Sequence, residues 1–242
     1  MLGVGEDAQV IGAEAGDAAA WFALTTVGAR GRTLVLRRLD LDTLEATDEA
    51  RVALPLRASN GDREHAVHVH AAPDLSRFAI VEYVEDGVGM APGRVYVVDP
   101  AAGTSFAVPA PAATYGVAFA PDGRYIYIAS AQRGTISRID LAHQRIDKQV
   151  AAPRYVHHLV VSPAGNRLFA LASSSKYAVY DLPDLRARGD ANHPAGLAGA
   201  MTQLYGNGIA SLDGAFFIVP EADDRNKPPA HDRTYLIARL VD

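Results

Sequence analysis

The stretch that decides the fold runs from residue 113 to residue 154, ATYGVAFAPDGRYIYIASAQRGTISRIDLAHQRIDKQVAAPR. It opens on an apolar run, turns at Pro121-Asp122-Gly123, and continues as YIYIAS, rich in aromatic and β-branched residues. Gly134 sets a second turn, TISRID closes on Asp140, and RIDKQV follows after a short link. Period-2 alternation between Gly and Pro turns predicts four short strands and no helix.

The rest of the chain repeats this unit in worn form. A turn after an apolar strand recurs at Ala15-Gly16-Asp17, Pro73-Asp74, Pro121-Asp122-Gly123, Pro163-Ala164-Gly165 and Leu212-Asp213-Gly214. An Asp closing the third strand recurs at Asp40, Asp99, Asp140, Asp181 and Asp242, in steps of 59, 41, 41 and 61. A base period near 41 with four strands each is the spacing of propeller blades. The sequence therefore predicts an all-β, single-domain β-propeller of five blades, about 8–59, 60–112, 113–154, 155–203 and 204–242. The other reading is a fragment of a seven-bladed ring. The fifth repeat ends at its third strand, and residues 1–7 are the most economical source of an outer one. The Ala-rich run 194–203 is the one weak helix candidate.

The repeat resembles the YVTN-type, lactonase-like β-propeller family. The residues that carry the resemblance are Gly116 to Ser130 (GVAFAPDGRYIYIAS), Ile136 to Asp140 (ISRID) and Leu159 to Phe169 (LVVSPAGNRLF). It is good over 113–181, fair over 65–112 and weak elsewhere. It implies a fold rather than an activity, because the family includes surface proteins, cofactor-bearing subunits and enzymes. The five repeats here depart from the usual seven.

Composition narrows the function classes. The 242 residues carry a net charge of −5 with no basic block, which argues against nucleic acid, since phosphate neutralisation needs clustered Lys and Arg. There is no Cys, hence no disulfide, thiolate metal site or Cys nucleophile. No apolar run approaches the ~20 residues of a membrane-spanning helix. The N-terminus has no basic region and carries Glu6, Glu14 and Asp17, so it does not read as a signal peptide. A cytoplasmic protein, or an exported one with its signal removed, fits. Abundant Ala, Gly, Arg and Asp with few Lys suggests a bacterial source.

The resemblance implies that first strands line a central channel and that ligands sit at its mouth, as concave sites generally do. Five residues before each turn stand Val10, His68, Gly116, His158 and Asn207, while the interleaved positions are small or apolar. Alternation then gives His68, His158 and Asn207 a common orientation, converging near the axis. Imidazoles are common ligands and general bases, so His68 and His158 are candidates both for catalysis and for a divalent metal. Structural imidazoles in a wet channel are the competing reading. Glu82 stands where the other repeats have Ala129 and Ala172, and could pair with His68 as acid or base. Arg63, His65, Tyr115, Arg154, His157, Tyr205 and Asn207 flank the mouth as candidate substrate contacts. Two long loops, 85–93 and 221–232, rise on the same side.

Two functions follow. One is binding or conversion of a small molecule by the His-rich site, as a lyase, isomerase or hydrolase that is metal-assisted if the imidazoles hold a cation. The other is a non-catalytic module that binds a ligand or a protein partner, or serves as a surface-associated subunit.

Overall fold

A computed structural model describes residues 8–13, 19–28, 31–54, 65–85, 90–172, 176–192, 202–203, 209–211, 215–220, 222–223 and 235–239. Every regular element among them is a strand. The chain divides into two compact units, Met1–Gly89 with Arg94–Pro109, and Met90–Gly93 with Ala110–Asp242.

The strands assemble in sequence order, as a meander does. The first sheet runs Ala8–Ala13, Ala19–Gly28, Gly31–Asp40, Ala46–Leu54, and the main path of the second runs His65–Ala71, Phe78–Glu85, Gly93–Asp99, Thr104–Ala110. In the second unit the third sheet runs Thr114–Phe119, Tyr125–Ser130, Thr135–Asp140, Arg145–Ala151, and the fourth Val156–Val161, Arg167–Ala172, Lys176–Asp181, Arg186–Asn192. A fifth sheet joins Ile209–Ala210, Phe216–Pro220 and Tyr235–Arg239. Four-stranded antiparallel sheets of this kind are propeller blades. Residues 1–7 lie outside the described residues.

The recurring turn residues have local causes. After the first strand, Gly123 and Gly165 take φ of 68° and 71°, the left-handed region that Gly enters without penalty. Leu75 holds the same place in the second blade at φ 56°. The Asp that closes the third strand caps the next turn in the first three blades. Asp40 Oδ1 accepts from the N–H groups of Asp42 and Thr43 at 3.0 and 2.9 Å, and Asp140 Oδ1 from those of Ala142 and His143 at 2.9 and 3.0 Å. Asp99 Oδ1 accepts from Ala102 N–H at 3.0 Å. Asp181 is held instead by Arg167, Arg186 and Arg188, at 2.7, 2.5 and 2.8 Å. Burial alone would raise its pKa, but hydrogen bonds from Arg186 and Arg188 and the charge of Arg167 hold it below the usual carboxylate range.

Two strands differ from the sequence expectation. Read from apolar alternation, the outer strand of the first blade would run over 50–56, whereas it is Ala46–Leu54, and the fourth blade has an outer strand, Arg186–Asn192, where the sequence reads only as a loose segment. The first begins in a polar stretch and alternates only from Ala50, where Val52 and Leu54 turn inward, and the second has little apolar alternation to announce it. The helix expected at 194–203 is overturned at its end, where Thr202–Gln203 pairs as a strand with Ala222–Asp223; 193–201 lies outside the described residues.

Cores form between consecutive blades of one unit. Trp21, Leu34, Leu36 and Val52 of the first blade pack on Val69, Phe78, Ile80 and Tyr96 of the second, with Trp21 and Phe78 ring centroids 4.9 Å apart. Tyr125, Tyr127 and Ala129 of the third blade pack on Leu159, Leu168 and Ala170 of the fourth. Each fully buried large apolar side chain stabilises by roughly 1.5–3 kcal/mol.

Candidate functional site

Backbone irregularity in the first strands places the candidate residues. In the third blade the register skips between Thr114 and Gly116, and in the fourth between Val156 and His158. Tyr115 and His157 are thus the extra residues of two equivalent β-bulges. A bulge leaves its residue out of the ladder and re-aims its side chain. Here the two re-aimed rings meet, with centroids 5.0 Å apart and planes tilted by 38°. In the second blade the register runs unbroken from His65 to Ala71.

Three loops at this end of the second unit are knitted by main-chain bonds. Ala131 N–H donates to Ala113 O at 2.9 Å, Ala152 N–H to Gly134 O at 2.8 Å, and Tyr155 N–H to Ala131 O at 2.9 Å. Ser130 Oγ donates to Ala112 O at 2.6 Å. Gly134, at φ 61°, makes the crossing possible: a Cβ there would lie 3.0 Å from Ala152 O and 3.4 Å from Arg154 Cγ. Arg154 itself is exposed, as are Arg133 and Tyr155, while Tyr115, His157 and His158 are half-buried.

The histidines are biased toward the neutral form. Burial holds His157 below the ordinary imidazole range. His158 is lowered by burial first and by the neighbouring charge of His157 second. A neutral imidazole has one nitrogen to donate and one to accept, which suits ligand binding and proton abstraction at neutral pH.

Successive residues of a first strand face the two sides of their blade. Leu159 and Val161 lie in the core shared with the third blade, so His158, paired with Leu171, lies on the opposite face. In the first unit Val69 packs on the first blade, so His68, paired with Val81, lies on the face away from it. His68 and His158 therefore repeat one orientation, each relative to its own blade, and they belong to different compact units. His68 is exposed, though partial burial still lowers its pKa.

Glu82 does not face His68. Its ladder partner is Val67, and opposed residues of an antiparallel pair share a face, so Glu82 lies with Val67, Ile80 and Phe78 on the first-blade side. Only 7% of it is exposed, and its carboxylate helps to raise the pKa of buried Tyr96, after burial itself, against a lowering by Arg94. The pairing of Glu82 with His68 is thereby overturned by the register, and Tyr96 is the titrating neighbour instead.

His65 opens the first strand of the second blade. Arg63, Tyr205 and Asn207 lie outside the described residues, as do 86–89 and most of 221–232. Among the described residues no three His, Asp or Glu gather into a metal-binding group. Arg133 was not expected from sequence; its signal is the Gln132-Arg133-Gly134 turn, whose glycine admits Arg154.

Blades of this build define the chain as a β-propeller protein. Among solved structures it is similar to the hydrazine synthase of Kuenenia stuttgartiensis, at 15% identity and a TM-score of 0.63, over 96% of this chain and 62% of that one. It is similar to the β-propeller domain of Cps50 (Swd1) from Myceliophteria thermophila, at 11% identity and TM-score 0.55, over 87% and 64%. It is also similar to a candidate 6-phosphogluconolactonase from Bacteroides uniformis, at 16% identity and TM-score 0.52, over 96% and 67%. The chain thus spans about two thirds or less of the length of these proteins. Such identities show a shared fold. No family model matches the chain, and no curated protein matches it in sequence.

Proposed function

We propose that the chain binds a small molecule at the bulged end of the third and fourth blades. Tyr115 and His157 form the contact wall, His158 adjoins His157 on the other face of the sheet, and Arg154 stands on the neighbouring loop. The observation that carries this reading is the meeting of two equivalent bulge residues, one aromatic and one a neutral imidazole, over hydrogen-bonded loops. The second blade forms without a bulge at this place, so the fold does not require the pairing of a phenol with an imidazole. His68 is the imidazole at the corresponding place of the first unit. Conversion, if the site performs it, is proton transfer by a neutral imidazole, the step common to lyases, isomerases and many hydrolases.

The test is imidazole NMR of the whole chain, with His157 and His158 assigned by substitution, against a panel of small metabolites and divalent cations. Saturable shifts at His157, lost in Tyr115→Ala, support the reading. A panel that moves neither imidazole sinks it. Turnover of a hit that disappears in His158→Gln while its binding persists assigns the proton transfer.

A further inference from the structure

We infer that the exposed surface formed by Arg133, Arg154 and Tyr155 is a docking surface for an acidic peptide segment of a partner protein. The charges are segregated along the third and fourth blades. At the opposite end the turns carry Asp122, Asp140, Asp181 and Asp184. At this end the loops 111–114, 131–134 and 152–155 contain no Asp or Glu at all, in a chain whose net charge is −5.

Several arginines elsewhere are held by acids, although Arg124 and Arg145 stand exposed at the acidic end. Arg77 is paired with Asp99, Arg138 with Asp147, and Arg167, Arg186 and Arg188 with Asp181. Arg133 and Arg154 make no ion pair among the described residues and stand exposed on adjacent loops. A guanidinium presents a planar fork matched to a carboxylate, so two of them side by side favour an acidic partner.

Tyr155 supplies the apolar contact. It holds the place that Ala113 holds in the preceding repeat, and both adopt the left-handed conformation, at φ 63° and 54°. A non-Gly residue there is strained by about 1–2 kcal/mol. Ala113 is buried, but Tyr155 is 55% exposed. The repeat thus spends the same backbone strain on a small core residue in one blade and on a displayed aromatic in the next. Exposed Tyr flanked by Arg is the composition of protein-binding hot spots. The surface is open, whereas a small ligand needs to be mostly enclosed, which favours an extended peptide here. The main-chain bonds among the three loops hold it preorganised, which limits the entropy lost on docking.

The experiment is fluorescence anisotropy of the full chain with a labelled peptide of alternating glutamate and phenylalanine, and with its glutamine counterpart. The acidic peptide should bind saturably, the glutamine peptide at least about tenfold more weakly, and added salt should weaken only the former. Arg133→Glu with Arg154→Glu, and separately Tyr155→Ala, should each lower acidic-peptide affinity while the amide NMR spectrum shows an unchanged fold. Equal binding of both peptides, full affinity in both variants, or no binding overturns the inference. So does a labelled oligothymidylate that binds these residues more tightly than the peptide. The imidazole signals of His157 and His158 report separately on the small-molecule site, so either reading can fail alone.

Discussion

Tyr115 and His157 touch ring to ring although they belong to different blades, because each is the residue that its own strand leaves out of register. The contact both shields the imidazole and fixes its direction. Tyr115→Ala should therefore open His157 to water and raise its pKa toward the ordinary value of 6.5. Tyr115→Phe keeps the ring and should leave the pKa nearly unchanged. Proton NMR titration of His157 separates the two. The aromatic contact itself contributes about 0.5–1.5 kcal/mol beyond area burial.

Stability should fall on mild acidification. His68, His157 and His158 each have a folded pKa below 6.5, lowered first by burial. Between the folded and unfolded values the unfolded chain binds more protons, so stability rises with pH. The contribution is complete above the unfolded pKa and is lost as pH falls through the folded ones. Asp74 and Asp181, whose pKa values lie below 3.8, titrate too low to act in that window. Urea midpoints measured from about pH 7.5 to about pH 5 should decline, and His157→Gln with His158→Gln should flatten the decline. An equally steep profile in the double variant would assign the loss elsewhere.

Gly116 is fixed by packing. A Cβ there would lie 3.0 Å from Leu159 Cγ, 3.2 Å from Ala129 Cβ and 3.4 Å from His157 O. Gly116→Val should push the third and fourth blades apart and destabilise by about 1–3 kcal/mol. Because His157 O is one of the atoms met, the variant should also shift the His157 ring signals. Denaturant unfolding and the NMR spectrum together check both effects.

The blade pattern was legible because it depends on local chemistry. Left-handed turns call for Gly at 123 and 165, an Asp must cap the turn after the third strand, and inner strands must be apolar on alternate residues. The outer strands were less legible: RARGDAN pairs along its length with Lys176–Asp181, but Arg186, Ala187 and Arg188 are exposed. The site was partly legible. Tyr115, His157 and Arg154 stand out by type, whereas the bulges that bring Tyr115 to His157 leave no mark in composition. Alternation from the turn gave His158 the face it has, but which blade that face opposes follows from packing.

Glu82 stands out in the sequence as a carboxylate where the other repeats have Ala129 and Ala172, but that departure does not say which face it takes. The strand register puts Glu82 opposite Val67 and His68 opposite Val81, on two faces of one sheet. A carboxylate beside an imidazole raises the imidazole pKa, yet burial alone accounts for the lowered pKa of His68. Glu82→Gln removes the charge and keeps the shape. It should leave the titration of His68 unchanged and lower the pKa of Tyr96, which Glu82 now helps to raise. Tyr96 should stay above the ordinary tyrosine value of 10.0 even then, because burial is the larger cause. NMR titration of labelled histidine and tyrosine in the two proteins checks both shifts. A fall in the His68 pKa with no change at Tyr96 would place Glu82 on the histidine face and overturn the register argument.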